Sequence, residues 1–174
     1  DTPIFLAYLT IIPGMSVFLV RMETDFADLY ERFYDGVRNG AALEELERLR
    51  DQMIATVRQG IYEIFKVQGL TVVLMLIIGP LLLDALGLSR LHLGLFYVDC
   101  VGVAAQVVVL AILNIAFYLD QRKLALRLVS FFFLCNLTFT LVTLVLGLPW
   151  FGYGFAFAGA LTALVGVTQV SQRF

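Results

Sequence analysis

The chain has 174 residues, 60% of them hydrophobic and only 15% charged, with a mean hydropathy of +0.90. Soluble domains carry roughly 25% charged and about 45–50% apolar residues, so lipid must solvate most of a chain this small and this apolar. The net charge of −2, with most charges gathered between Arg21 and Lys66, offers no basic groove and excludes nucleic acid as a partner.

The sequence opens on Asp1-Thr2-Pro3, without Met, and runs straight into apolar residues. No basic n-region of a signal peptide precedes them. The expectation is a piece of a longer transporter. A bilayer-spanning helix needs about 20 predominantly apolar residues, and five segments meet or approach that length.

The first span is Pro3 to Val20, slightly short. Within it, Pro13-Gly14 can interrupt the helix, because proline lacks a backbone donor and clashes one turn back. Such a break is either a transporter hinge or a static kink.

Residues 21–66 follow as a polar excursion that reads as a helical hairpin. Phe26, Leu29, Tyr30, Phe33 and Val37 recur at helical spacing, as do Leu43, Leu46, Leu49, Met53, Val57, Ile61 and Ile64. Asn39-Gly40 is the break, a helix end suited to left-handed backbone. Asp28–Arg32 and Glu44–Arg48 are i,i+4 pairs in the favourable order. A helix lying on the membrane fits less well. Arg21 to Arg38 holds five acids and three bases, the wrong sign for an anionic leaflet. If the apolar stripes zip together, Tyr30, Tyr34 and Arg38 are candidates for docking a partner; the alternative is that the arms only stiffen the two spans.

The second span runs from about Val67 to Leu88 and carries Gly79-Pro80, again a hinge or a static kink, with Asp84 as an interface residue near its end. The third, Leu91 to Leu119, places Asp99, Gln106 and Asn114 seven and eight residues apart, hence on one helix face. Asp99 falls roughly 12 Å along the helix from Leu91. One reading is a cavity-lining stripe with Asp99 as a cation or proton site. The other is an interfacial carboxylate with amides that glue helices together.

The fourth span, Leu124 to Leu146, presents Asn136, Thr140 and Thr143 on one face, which can meet that stripe or simply bond between helices. The fifth, Trp150 to Val170, repeats small residues every four positions (Gly154, Ala158, Thr162, Gly166), a ridge for close packing. Tyr118, Trp150 and Tyr153 flank span ends, where an aromatic belt is expected.

Orientation follows from Lys and Arg. The excursion holds Arg21, Arg32, Arg38, Arg48, Arg50, Arg58 and Lys66; the third connection adds Arg122, Lys123 and Arg127, and the C-terminus Arg173. The opposite side has Arg90 alone. The excursion, the Asp120–Lys123 turn and the C-terminus are therefore expected in the cytoplasm, and the first residue outside.

Enzymatic constellations are not visible. The one histidine, His92, sits in a short outer loop, no phosphate-binding glycine loop occurs, and no Cys/His cluster has metal spacing. Cys100 and Cys135 lie in apolar runs and read as buried thiols, with neither a disulfide nor a metal suggested. The expectation is a non-enzyme without cofactor or metal.

Several stretches resemble the PelG family. They are IIPGMSVFLVRMETDF at Ile11 to Phe26, YERFYDGVRNGA at Tyr30 to Ala41 and TVRQGIYEIFKVQGLTV at Thr56 to Val72. FYLDQRKLAL at Phe117 to Leu126 and WFGYGFAFAG at Trp150 to Gly159 fit less specifically. The resemblance implies the multidrug/oligosaccharidyl-lipid/polysaccharide flippase superfamily. It implies an all-α polytopic bundle, here the last five spans of a roughly twelve-helix transporter of two lobes working by alternating access. It further implies a bacterial inner-membrane exporter of Pel, a partially deacetylated polymer rich in N-acetylgalactosamine. Its partners would be the other inner-membrane Pel proteins and a cytosolic glycosyltransferase. The residues alone also allow a cation-coupled antiporter or flippase of small molecules or lipid-linked oligosaccharides. A noncatalytic scaffold that recruits a glycosyltransferase fits them as well.

Overall fold

The computed structural model describes residues 2–173, with side chains except those of Glu23 and residues 171–173; Asp1 lies outside the described residues. Among these the chain is all-helical, and five helices are long and apolar enough to cross a membrane. In chain order they are α1 (Thr2–Leu9) and α2 (Ile11–Val20), which together form the first span, then α3 (Ala27–Asn39), α4 (Leu43–Ala85), α5 (Leu93–Tyr118), α6 (Arg122–Leu146) and α7 (Tyr153–Arg173).

The break between α1 and α2 falls at Thr10, three residues before Pro13, where the backbone N–H of Thr10 turns back to the Ala7 carbonyl at 3.1 Å. Pro13 cannot donate, so the i→i−4 ladder fails one turn upstream. Between α2 and α3 the helix does not stop. It widens to a π-helical turn over Arg21–Phe26, a local under-winding frequently found at functional positions.

Helix α3 ends at Asn39, and Gly40 takes the left-handed backbone (φ 71°) that only glycine adopts without strain. The chain returns in α4, 43 residues without interruption. At 1.5 Å per residue that is about 64 Å, twice the roughly 30 Å hydrocarbon thickness and more than a single crossing uses. Asp28 and Arg32 pair at 2.9 Å. The pairing expected between Glu44 and Arg48 does not form; both side chains extend into solvent beyond ion-pair reach, where water already satisfies them.

The base of the hairpin is fused to the bundle. Phe26 meets Tyr118 at the end of α5 edge-to-face, with ring centroids 5.7 Å apart. Met22, Phe26, Met53 and Val57 join Val107, Val108, Ala111, Ile112 and Ile115 of α5 and Leu124 and Leu128 of α6 in one core. The hairpin base and the α5–α6 turn thus share one end of the molecule.

Helix α5 is the most enclosed span, contacted by α1, α2, α4 and α7 along its length, and α6 is the least enclosed. Helix α7 lies parallel to α5 and antiparallel to α6. Gly102 opposes Phe155 and Ala156, and Gly159 opposes Ala105. On the other side Gly154 presses on the backbone of Phe139 and Thr140, and Gly166 on Leu128. The small ridge of Gly154, Ala158, Thr162 and Gly166 is wholly buried in this packing.

Candidate functional site

A cavity of about 360 Å³ opens between α1, α5, α6 and α7, at the end of the bundle away from the hairpin. Tyr8 comes from α1, Asp99 from α5, Thr140 and Thr143 from α6, and Phe151, Gly152, Gly154 and Phe155 from the start of α7 and the strap before it. The strap, 147–152, is shaped by Gly147 (φ 93°) and Gly152 (φ 87°). A side chain at Gly152 would meet Leu95 and Asp99, so the backbone crosses the mouth because that residue is glycine.

Asp99 is 6% exposed, and its Oδ2 has no hydrogen-bond partner. Thr143 is buried, and its hydroxyl donates to the Thr140 carbonyl at 2.9 Å. Thr140 itself is exposed to the cavity. The structure therefore brings Asp99, Thr140 and Thr143 together. It keeps the other amides apart from them. Gln106 lies two turns deeper on α5, opposite Gly159, with a buried Oε1 that is unpartnered. Asn114 donates to the Leu110 carbonyl of its own helix at 2.9 Å. Asn136 has an unpartnered, buried Oδ1 in the middle of α6.

Both proline sites are held by neighbours. Gln68 of α4, itself buried, donates from Nε2 to the Thr10 carbonyl at the α1–α2 break, at 2.9 Å, and packs directly on Gly14. Pro80 removes the donor that would have bonded the Leu76 carbonyl, and the Tyr97 hydroxyl of α5 supplies it instead at 3.0 Å. Gly79 lies against the Phe96 and Tyr97 rings. Neither Gln68 nor Tyr97 stands out in the sequence. Each is a single polar group in an apolar run, and only its partner's address gives it a role.

At the hairpin end, Arg21 of the π-turn makes a two-pronged pair with Glu63 of α4, Nε to Oε2 at 2.7 Å and Nη2 to Oε1 at 2.8 Å, and reaches Asp25 at 2.6 Å. Gln59 donates to Glu63 at 3.1 Å. The guanidinium holds both carboxyls below the usual carboxylate range, while the hydrogen bond to Glu63 and then that to Asp25 raise Arg21 further above its own ordinary value. Of the docking candidates, Tyr30 turns inward beside Phe26, Met53 and Val57, its ring centroid 4.6 Å from that of Tyr34 and tilted by 49° to it. Tyr34 and Arg38 remain on the outside, Arg38 paired with Asp35 at 2.6 Å.

The comparison over the full length decides the family. PelG, "Putative exopolysaccharide Exporter (EPS-E)", matches residues 1–174, the whole chain. The chain belongs to the PelG family. No curated protein and no solved structure matches it. PelG membership and five apolar helices together make this a multi-pass membrane chain of an exopolysaccharide export family. Among the described residues no group of three or more His, Cys, Asp or Glu could hold a metal ion.

Proposed function

We propose that this chain forms part of the passage through which Pel, the N-acetylgalactosamine-rich polymer, leaves the bacterial cytoplasm by alternating access. In this reading it supplies the last five spans of a two-lobed, roughly twelve-helix transporter. The supporting observation is the cavity around Asp99, set in a chain that matches an exporter family from end to end. Its lining suits a sugar. Tyr8, Phe151 and Phe155 offer apolar ring surface to the C–H face of a pyranose, while Asp99 and the two threonine hydroxyls offer hydrogen bonds to its hydroxyl and acetamido groups. Pro13-Gly14 and Gly79-Pro80 serve as pivots, each steadied by one donor. The hairpin faces the cytoplasm and uses Tyr34 and Arg38, with Tyr30 packed behind Tyr34, to hold a glycosyltransferase at the inner mouth, alongside the other inner-membrane Pel proteins.

The test places cysteine at Thr140 in a chain whose Cys100 and Cys135 have been replaced. A bulky impermeant thiol reagent added from outside should stop secretion. The same reagent at Val145→Cys, on a surface that is 89% exposed, should not. Normal secretion from fully labelled Thr140→Cys removes the cavity from the passage. For the hairpin, excising Asp35 to Leu46 and rejoining the arms by a short Gly/Ser linker should spare insertion and abolish co-purification with the glycosyltransferase; undiminished co-purification places the enzyme elsewhere.

A further inference from the structure

Two acidic residues lie within the membrane-spanning stretches, and the structure treats them differently. Asp84 is held by Arg90 across the α4–α5 turn, with Nε to Oδ1 at 3.1 Å. Among the described residues no Lys, Arg or His lines the cavity of Asp99, and its Oδ2 is both buried and unpartnered. An ionised carboxylate at membrane depth costs several kcal/mol unless a positive charge compensates it. The side chains that line the cavity supply no such charge.

The surroundings are built to accept one. The Thr143 hydroxyl spends its proton on the Thr140 carbonyl, which leaves its lone pairs free. The Tyr8 and Thr140 hydroxyls line the same cavity. Tyr8 is the titratable group that α1 turns toward Asp99 and lies within reach of its charge. Helix α6 offers only hydroxyls here. The strap and α7 offer backbone and rings, and at this end of α4 Asp84 is engaged with Arg90. The strap then crosses the mouth so closely that a Cβ at Gly152 would lie 3.0 Å from Asp99 Oδ1.

We propose that this cavity is a monovalent-cation site, in which Asp99 takes up a proton or a sodium ion and the 147–152 strap closes over it. The proposal rests on the export reading of the cavity and names the ion that occupies it. One positive charge binds at the Asp99 carboxylate and is later released from it: a sodium ion by coordination alone, a proton by making and then breaking the carboxyl O–H bond.

The experiment uses the full exporter in liposomes. It reads the melting midpoint and the part of the fluorescence that Trp150→Phe removes, since Trp150 sits in the strap two residues before Gly152. Sodium is titrated against choline at constant ionic strength, and pH is titrated separately. A saturable rise of about 2–4 °C with sodium in the parent chain, absent in Asp99→Asn, supports a sodium ion. No sodium response, with a one-proton pH step that Asp99→Asn loses, supports a proton. Asp99→Glu keeps the charge and should keep the response at a shifted midpoint, which guards against misfolding of the amide variant. Identical responses of parent and Asp99→Asn to both titrations overturn the site. If that happens while labelled Thr140→Cys still blocks secretion, the export reading stands and the cation site falls. If the Asp99-dependent response persists while labelling leaves secretion intact, the cation site stands without the export reading.

Discussion

The Tyr97 hydroxyl donates to the Leu76 carbonyl at 3.0 Å, so a side chain of α5 fills the vacancy that Pro80 leaves in α4. In water a freed carbonyl finds solvent; in lipid it does not, and the missing bond must come from protein. Tyr97→Phe keeps the ring against Gly79 and removes only that bond. It should lower stability by about 0.5–1.5 kcal/mol in a reversible unfolding assay of the purified protein. No loss would mean that the Leu76 carbonyl finds another donor.

Gln68 and Gly14 make a second such relationship, and it calls for a double-mutant cycle. Gly14→Ala alone drives a methyl into the Gln68 amide, and Gln68→Ala alone strips the Thr10 carbonyl of its donor. The double variant relieves the collision. The two effects should fall short of adding by about 0.5–3 kcal/mol, and strict additivity would show that the amide can turn away at no cost.

Arg21, Asp25 and Glu63 tie the π-turn to α4. Both carboxyls have folded pKa values depressed by the guanidinium. Their contribution to stability is therefore present above the unfolded carboxylate values, near pH 4, and disappears as pH falls through the lower folded ones. Arg21→Gln should lower stability at neutral pH and flatten its fall below about pH 4. Exchanging the partners, Arg21→Glu with Glu63→Arg, should restore part of the slope.

Gly154 has backbone on its far side, not a side chain that could move. A Cβ would lie 2.9 Å from the Phe139 carbonyl carbon and the Thr140 nitrogen. Gly154→Ala should cost about 1–3 kcal/mol and loosen α6 from α7. Gly94→Ala in α5 meets nothing within 4 Å and should be neutral or slightly stabilising, because alanine is the better helix former. Equal behaviour of the two variants would refute the close-packing account.

From the Lys/Arg asymmetry Gly40 is predicted inside and Ser89 outside. Single cysteines there should react with an impermeant reagent from opposite faces of the membrane. Labelling of both from outside would overturn the assigned orientation.

The spans were legible because membrane helices are written in uninterrupted hydropathy, a signal that survives without any knowledge of contacts. Gly40 was legible for a related reason: left-handed backbone at a helix end asks for one residue type. What could not be seen was address. Arg21 and Glu63 are 42 positions apart, and nothing local pairs them. The π-turn is equally silent, since widening a helix by one residue per turn changes no composition. Helical spacing placed Asp99, Gln106 and Asn114 on one face, but their fates differ. Asn114 bonds within its own helix, Gln106 meets α7, and Asp99 alone reaches the cavity. Periodicity gives direction around a helix, whereas depth and the tilt of neighbours decide what each direction meets.

The parallel pairing of α5 with α7 bears on how the chain is made. Helix α5 begins at Leu93 and its partner α7 only at Tyr153. At roughly 5–20 residues per second, the ribosome needs several seconds to supply the partner after α5 has emerged. Throughout that interval the α5 face bearing Asp99, Gly102 and Gln106 has no α7 to rest on, and bare hydrocarbon is a poor host for it. The half-made chain must therefore wait at the insertion machinery, or in contact with a chaperone, until α6 has turned and α7 slides home.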